Sequence, residues 1–433
     1  MVQEKSPELA LTWRGKHEVE LVTPRPYVPA ERYPEMLGIE TAVSGSENRI
    51  YVGENLQVMS GLLPQYEGSV DCIYIDPPFN SGTDYVQRIR THHRGDSKRT
   101  ITVKQYGDRW QTADYLQNLY ERLTLLRRFL SPTGTIFLHC DWHSSAALRL
   151  VMDEVFGGSN LINEIVWAYA SGGGSRRAFG HKHDTILFYA RNRRRYYFDP
   201  DAVRVAYNAA IAPKRRELFN PQGMVAPDVW QISRPPNHSD TWVGYPTQKP
   251  LEVMQRAIAA ACPPGGLVMD CFAGSGSTLV AAAAQLGRRF LGIERNSLGV
   301  HLARRRLVQT GVGFEVWRET ASWNAHRILE NLELLGREVA TSVAKLDATT
   351  VTEPPAKVET TGNSDQLDWT ELVDWMVIDP NFAGFPGGVF VPRAVMAPSR
   401  DAVIDFADCG ENARGVALVA DVTGQDYFVR LET

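Results

Sequence analysis

The feature that most constrains this chain is a short apolar run that stops at a carboxylate and two prolines. Val70–Ile75 is apolar and rich in β-branched residues, which suits a buried strand. Pro77 and Pro78 end that strand, because a proline ring fixes φ and carries no amide hydrogen. Asp76 is therefore predicted at the carboxyl end of a strand, where open α/β sheets bind their ligands. Phe79 adds a flat apolar face, and this pair suits a planar substrate with an exocyclic amine. The alternative is a plain proline turn that Asp76 caps.

A second motif, in residues 266–294, combines a glycine-rich turn with two strands. Residues 266–278 predict a strand, the turn and the start of a helix that ends at Gly287. Gly274 and Gly276 have no side chains, so a ligand can approach the backbone closely. The pattern is neither a P-loop nor a full dinucleotide fingerprint. The next strand ends at Glu294, which can accept hydrogen bonds from both ribose hydroxyls of a nucleoside. The alternatives are a flexible linker for the turn and a solvated strand end for Glu294.

Taken together, the two motifs resemble those of a known enzyme family. The defining motifs of S-adenosylmethionine-dependent DNA amino-methyltransferases are similar to Asp76-Pro77-Pro78-Phe79 and Phe272-Ala273-Gly274-Ser275-Gly276. The catalytic motif comes first, an order that resembles the β group of these enzymes, including the modification subunits of type III restriction systems. Further segments with counterparts in the family are residues 53–56, 134–141, 183–189 and 247–251. The resemblance covers roughly residues 45 to 310.

The resemblance implies a fold, a reaction and a set of site residues. The expected fold is α/β, a Rossmann-like methyltransferase sheet that is mostly parallel with one antiparallel strand and a circularly permuted motif order. The expected reaction transfers a methyl group from S-adenosylmethionine to N6 of a flipped-out adenine in DNA, since an Asp opens the catalytic tetrapeptide. The catalytic residues implied are Asp76, Pro77, Pro78 and Phe79. The cofactor-binding residues implied are Glu54, Asn55, Lys249, Pro250, Asp270, Phe272, Ala273, Gly274, Ser275, Gly276 and Glu294.

Other functions stay open at this stage. An N4-cytosine DNA methyltransferase would share both motifs, and RNA or protein amino-methyltransferases carry related tetrapeptides. A catalytically idle DNA-binding or restriction-complex subunit is a different class, against which the intact motifs argue. Homodimerisation and a restriction subunit as partner are both compatible with the resemblance.

The charge distribution predicts a nucleic-acid partner, although the net charge is −4. Residues 331–433 contain 7 Lys/Arg and 17 Asp/Glu, so the −4 total leaves residues 1–330 with a charge of +6. The basic residues cluster, which fits neutralisation of phosphates on double-stranded DNA, although such runs are often solvated faces. The predicted DNA-binding residues are Arg88, Arg90, Arg176, Arg177, Arg193, Arg194, Arg195, Lys214 and Arg215.

The chain is predicted to contain one large catalytic domain and a small second domain. Residues 1–45 form an arm, and residues 46–325 form the catalytic domain with a target-recognition insertion at about 171–245. Residues 326–365 form a helix and linker, and residues 366–433 form a small acidic β-rich domain. The long polar segment 80–112 is expected to be a loop that acts as a lid or mobile segment.

The remaining features point to a cytoplasmic protein without a metal site. The five cysteines are scattered and are expected to be buried thiols in a reducing compartment. No membrane span or secretory signal is expected. His139, His143, His181 and His183 lack a zinc or iron signature, so a structural role is predicted for them.

Overall fold

A ten-stranded sheet with helices on both faces forms the larger part of the protein, as seen in a computed structural model. The structure describes residues 11–34, 47–82, 84–90, 100–108, 110–169, 177–207, 220–233, 248–330, 373–379, 415–421 and 424–431, with shorter stretches at 334–335, 337–339, 381–382, 384, 387–392 and 394–396. Within these residues no helix has the length and apolar character needed to cross a bilayer.

The strands and helices follow one another along the chain with short connections in the catalytic part. The strands are β1 (Tyr27–Tyr33), β2 (Arg49–Val52), β3 (Val70–Ile75), β4 (Asp84–Arg90), β5 (Thr100–Gly107), β6 (Leu130–Asp141), β7 (Leu161–Ala168), β8 (His183–Ala190), β9 (Arg204–Val205), β10 (Met224–Val225), β11 (Val229–Gln231), β12 (Leu267–Asp270), β13 (Arg289–Glu294), β14 (Phe314–Glu319), β15 (Ile328–Leu329), β16 (Val373–Asp379), β17 (Ala394–Met396), β18 (Gly415–Asp421) and β19 (Asp426–Leu431). The helices are α1 (Asn55–Tyr66), α2 (Thr112–Phe129), α3 (Ser145–Met152), α4 (Leu251–Ala261), α5 (Ser277–Val280), α6 (Ser297–Thr310) and α7 (Thr320–Asn324).

The main sheet has the order β1-β14-β2-β13-β12-β3-β6-β8-β7-β11. Most neighbours are parallel, and β8 runs antiparallel to both β6 and β7. The edge strand β1 is also antiparallel, to β14, and it arises from residues predicted to form an arm. The predicted mostly parallel α/β sheet is confirmed, with this second antiparallel strand in addition. The circular permutation stays a prediction.

Side chains on the strands alternate between two buried layers, as the two-residue period of a strand requires. On β3, Ile73 packs in the layer that α1, α2 and α3 cover. Its neighbours Cys72 and Tyr74 pack in the layer that α4, α5 and α6 cover. The two helical layers fix the sheet on both sides, so the positions of its strand ends are well defined.

The strand directions determine which residues can share a site. The strands β3, β6, β12 and β13 are parallel and end at the same side of the sheet, which we call the carboxyl edge. Because β8 is antiparallel, it begins at this edge with His183 and ends at the opposite edge with Ala190.

The segment after the catalytic motif differs from the predicted loop. β4 and β5 pair as an antiparallel two-stranded sheet between Asp84 and Gly107. The segments Asp84–Arg90 and Thr100–Gly107 carry the β-branched and aromatic residues that favour strands, interspersed with basic ones. The expectation of a segment without regular structure is therefore wrong for the described residues.

The C-terminal part forms a second sheet of five strands in the order β15-β19-β18-β16-β17. It packs against α6 and the β1–β14 edge through a buried ionic cluster. Arg304 on α6 donates to Glu31 Oε2 at 3.0 Å and to Asp426 Oδ1 at 2.6 Å. Arg318 on β14 donates to Glu31 Oε1 at 3.0 Å and to Asp426 Oδ2 at 2.6 Å. This sheet is the predicted C-terminal β-rich addition.

Candidate active site

The two sequence motifs meet at the carboxyl edge, although almost two hundred residues separate them. β3 pairs directly with β12, with Val268 opposite Cys72, so the segments that follow the two strands lie side by side. A cavity of about 150 Å³ opens between these segments. Its lining includes residues of both motifs, among them Asp76, Phe272 and Gly274. The structure thus brings the predicted catalytic and cofactor residues to one cavity.

The Asp76 carboxylate is held by a lysine on one side. Lys249 Nζ donates to Asp76 Oδ2 at 2.6 Å and lies 4.9 Å from the centre of the Phe79 ring. The ammonium therefore contacts both predicted catalytic side chains. The other oxygen, Oδ1, is buried and has no hydrogen-bond partner among the described residues. The resemblance placed Lys249 with the cofactor, and the structure places it on the catalytic carboxylate as well as in the cavity lining.

The loop after Phe79 is fixed by a residue that sequence reasoning missed. Asp108 is fully buried and accepts from the backbone nitrogens of Asn80 and Ser81, at 2.7 and 2.8 Å. Asn80 has a φ of 58°, in the left-handed region that Asn tolerates better than most side chains. Its side-chain oxygen accepts from the Trp110 backbone nitrogen at 3.0 Å. The catalytic loop is therefore tied at two points to the chain that follows β5.

The glycine-rich turn requires the glycines at its two left-handed positions. Gly274 has a φ of 50° and Gly276 a φ of 75°. A Cβ atom on Gly276 would lie 2.7 Å from the Cβ of Ala303 on α6, closer than van der Waals contact allows. The turn can therefore pack against α6 only because position 276 lacks a side chain. The backbone of the turn lines the cavity directly.

Glu294 supports this turn from the end of β13. Its Oε2 accepts from the Gly274 backbone nitrogen at 2.7 Å, and its Oε1 accepts from the Asn296 backbone nitrogen at 2.7 Å. Burial raises the pKa of Glu294, and these two backbone hydrogen bonds oppose the shift. Each carboxylate oxygen has a further lone pair, so Glu294 can still accept from a ligand in the cavity.

Asp270 is the most strongly perturbed acid in the cavity lining. It ends β12, is only 2% exposed, and accepts from the Phe272 backbone nitrogen at 2.9 Å. Burial raises the pKa of Asp270 to about 7, and the charges of Asp76 and Glu294 act in the same direction. A cationic ligand in the cavity would lower that pKa by favouring the ionised carboxylate.

Glu54 and Asn55 form the third side of the cavity together with an arginine that was not predicted. Arg122 on α2 is buried and donates to the Glu54 carboxylate and, at 2.6 Å, to Asn55 Oδ1. Asn55 in turn donates to the Cys271 carbonyl oxygen at 3.0 Å, which ties the start of α1 to the cofactor strand. Glu54 also caps α1 by accepting from the Gln57 backbone nitrogen at 3.0 Å. Arg122 thus locks the two predicted residues in place.

The predicted DNA-binding residues are only partly brought to this edge. Arg88 and Arg90 belong to β4, which follows the catalytic loop, and Arg177 is exposed just before β8. Arg193, Arg194 and Arg195 follow β8 and therefore lie at the opposite edge, where Arg193 donates to the Leu161 carbonyl oxygen at 2.6 Å. Arg176, Lys214 and Arg215 lie outside the described residues.

Four of the five cysteines can be described, and all four are buried free thiols: Cys72, Cys140, Cys262 and Cys271. No group of three or more His, Cys, Asp or Glu within the described ranges is arranged to hold a metal ion. His139 is fully buried beneath the site, with its ring 5.8 Å from that of Phe79.

Comparisons with known proteins agree with this site. A family model described as DNA methylase matches residues 70–305, more than half of the chain. Type II methyltransferase M.HpaI of Haemophilus parainfluenzae is 28% identical over 251 residues, which span 58% of this chain and 71% of the relative. DNA adenine methyltransferase YhdJ of Escherichia coli (strain K12) is 28% identical over 246 residues, which span 55% of this chain and 76% of the relative.

Solved structures with a similar fold are also methyltransferases. The M1.HpyAVI–SAM complex is 19% identical, has a TM-score of 0.40, and is matched over 60% of this chain and 98% of its own. The cytosine-N4-specific PvuII DNA methyltransferase is 16% identical, has a TM-score of 0.43, and is matched over 64% of this chain and 89% of its own.

Proposed function

Because the chain belongs to the DNA methylase family, we propose that it transfers a methyl group from S-adenosylmethionine to N6 of adenine in DNA. The observation that carries this proposal is the single cavity shared by Asp76 and the glycine turn. The relative YhdJ is named a DNA adenine methyltransferase, and the carboxylate that opens the catalytic tetrapeptide favours the same base.

The cavity fits the chemistry of S-adenosylmethionine, whose sulfonium and amino groups are cationic. Asp270 and Glu294 supply carboxylates to the lining, and the glycine turn lets a ligand lie against the backbone. We assign the ribose hydroxyls to Glu294, and we expect Glu54, Asn55 and Lys249 to line the rest of the bound molecule. When bound, S-adenosylmethionine supplies an activated methyl group on a positively charged sulfur.

The chain's own residues would activate a weak nucleophile. The lone pair of the adenine amine is delocalised into the ring, so the nitrogen must be made more basic as it reacts. Asp76 accepts a hydrogen bond from the amine, and the Pro77 carbonyl oxygen accepts a second. Both acceptors stabilise the positive charge that develops on nitrogen. Phe79 stacks on the base and holds the amine in line with the methyl group.

The substrate must leave the base stack to reach this cavity. The unpairing and unstacking cost a few kcal/mol, which contacts with the flipped base repay. β4, with Arg88 and Arg90, and the segment that contains Arg177 flank the cavity and are the proposed phosphate contacts. We propose double-stranded DNA as the substrate and the cytoplasm as the location. A homodimer and a restriction subunit as partner stay predictions.

The proposal can be tested by incubating the protein with unmethylated genomic DNA and S-adenosylmethionine, followed by mass spectrometry of the nucleosides. We expect N6-methyladenine, and none with the Asp76→Ala variant as matched control. N4-methylcytosine in place of N6-methyladenine would assign the other base, and no methylated nucleoside in DNA would contradict the proposal. Parallel reactions with RNA and with protein test the competing substrates.

A further inference from the structure

A buried polar chain lies directly beneath the catalytic loop and has no role in the proposed function so far. His139 on β6 is fully buried, and its ring meets the Phe79 ring at 5.8 Å and the Trp167 ring at 5.5 Å. Its Nδ1 lies 3.0 Å from the Tyr74 hydroxyl, and its Nε2 lies 3.2 Å from Asp184 Oδ2. The imidazole is therefore fixed by packing and by hydrogen bonds at both nitrogens.

The state of Asp184 determines how the imidazole is protonated. Burial would raise the pKa of Asp184, but the His139 hydrogen bond and charge, with help from Lys249 and Tyr169, lower it to about 2. An ionised carboxylate can only accept, so Nε2 of His139 carries the hydrogen. The Tyr169 hydroxyl donates to the other oxygen of Asp184 at 3.0 Å. Nδ1 is then the basic nitrogen, and the Tyr74 hydroxyl donates to it.

This basic nitrogen faces the unpaired oxygen of the catalytic carboxylate. Nδ1 lies 3.9 Å from Asp76 Oδ1, the buried oxygen that has no hydrogen-bond partner among the described residues. Lys249 holds the opposite oxygen, Oδ2, at 2.6 Å. A shift of about 1 Å would bring Nδ1 and Oδ1 within hydrogen-bond distance.

We propose that His139 is a positioning residue that supports Asp76 and Phe79 and takes up, through Asp76, the proton released by methylation. This inference rests on the proposed function, because it needs an amine that loses a proton. It gives the pair of His139 and Asp184 the arrangement in which a fixed carboxylate on one imidazole nitrogen stabilises the imidazolium formed at the other.

The transfer balances as follows in atoms and electrons. The amine lone pair forms the bond to the methyl carbon as the carbon–sulfur bond breaks and its electrons pass to sulfur. One N–H bond then breaks, its electron pair returns to the amine nitrogen, and the proton goes to Asp76 Oδ1. The Nδ1 lone pair of His139 takes that proton from Asp76, and the Tyr74 hydroxyl turns to accept from the new N–H. Asp76 is restored as a carboxylate for the next turnover.

Two variants separate this role from simple packing. His139→Gln removes the basic nitrogen, whereas Asp184→Asn keeps an oxygen acceptor for Nε2 but removes the negative charge. We expect the single-turnover methylation rate to fall roughly 10²-fold in either variant, the lower end of the range for proton transfer by a positioned group. The dissociation constants for S-adenosylmethionine and DNA should change less than twofold. Cys140→Ser, a fully buried neighbour on the opposite face of β6, is the matched control and should keep the wild-type rate.

The possible results discriminate clearly. A rate within threefold of wild type in His139→Gln overturns the inference, and so does a loss of cofactor affinity as large as the loss in rate. Should His139→Gln fail to fold, Asp184→Asn alone decides by the same criteria. If the wild-type protein methylates no DNA, the proposed function fails, which is a different outcome from an active wild type with an equally active His139→Gln.

Discussion

The raised pKa of Asp270 makes both stability and cofactor affinity depend on pH. Burial raises this pKa from 3.8 to about 7, so the folded protein keeps a proton that the unfolded chain has already lost between these values. Stability therefore falls as the pH rises from about 4 to about 7, and no further loss from this group follows above that range.

The size of the effect follows from the shift. One pKa unit corresponds to about 1.4 kcal/mol, so the interval from 3.8 to about 7 corresponds to about 4 kcal/mol as an upper limit. Asp270→Asn cannot ionise, yet its amide oxygen can still accept from the Phe272 backbone nitrogen. We expect the variant to match wild type near pH 4 and to exceed its free energy of unfolding by up to about 4 kcal/mol above pH 7.

The measurement is urea unfolding of both proteins without cofactor, followed by circular dichroism at several pH values from 5 to 8. Burial also raises the pKa of Glu294, so the wild-type slope alone contains a second contribution of the same sign. The difference between wild type and variant isolates Asp270, because Glu294 is present in both. A difference that stays constant from pH 5 to 8 would refute the assignment of this proton to Asp270.

Cofactor binding should show the opposite trend. A cationic ligand favours the ionised carboxylate, so the affinity of wild type for S-adenosylmethionine should rise with pH through about 7. Calorimetric titration should find this rise in wild type and its absence in Asp270→Asn. Equal slopes in the two proteins would show that the cofactor does not sense this group.

Three substitutions test the remaining parts of the site. Asp76→Ala should lower the methylation rate by roughly 10²- to 10³-fold or more, because the acceptor for the reacting amine is lost, while calorimetry finds cofactor binding nearly intact; retained turnover would remove the role assigned to Asp76. Glu294→Ala should weaken cofactor binding by about 10- to 100-fold, as expected for the loss of hydrogen bonds to a charged group, and an unchanged dissociation constant would refute it. Arg122→Met should reduce the free energy of unfolding by about 1.5 to 3 kcal/mol, since it leaves the Glu54 carboxylate without its guanidinium. Arg127→Met, exposed on the same helix, should be nearly silent in the same urea titration, and equal losses in both variants would contradict the proposed lock.

The parts of the site that the sequence predicts are those encoded by neighbouring residues. The strand that ends at Asp76 and the turn around Gly274 each combine an apolar run with residues of restricted backbone conformation, and the structure has both. Their meeting in one cavity follows from the strand order, which the family resemblance supplied. Local pattern and resemblance together were therefore enough for the fold and for the family, which the family match over residues 70–305 confirms.

The residues that support the site from a distance could not be predicted in the same way. Arg122 lies on the helix whose leucines were interpreted as core, and its partner Glu54 is 68 positions away. His139 was predicted to be structural, and its partner Asp184 is 45 positions away. No local pattern marks such a pair, because the contact exists only once two strands or helices pack.

Strand direction explains why the basic residues divide between two edges. The segment that resembles the antiparallel strand was recognised, and its direction already implies that residues after Ala190 lie away from the catalytic edge. Arg193, Arg194 and Arg195 were nevertheless grouped with Arg177 by composition alone. Clustering along the chain is not clustering in space, and only the topology separates the two sets.

The acidic C-terminal part illustrates the same point for charge. Its net charge of −10 argues against contact with DNA, yet some of its carboxylates face arginines of the catalytic domain. Asp426 pairs with Arg304 and Arg318, both buried at the junction, and burial of these pairs is tolerated because the charges compensate one another. Arg306, two positions further along α6, donates to the Ser275 carbonyl oxygen at 2.7 Å in the glycine turn. One helix therefore contacts the C-terminal sheet on one side and the cofactor turn on the other, so the acidic part supports the site through packing and not through the substrate.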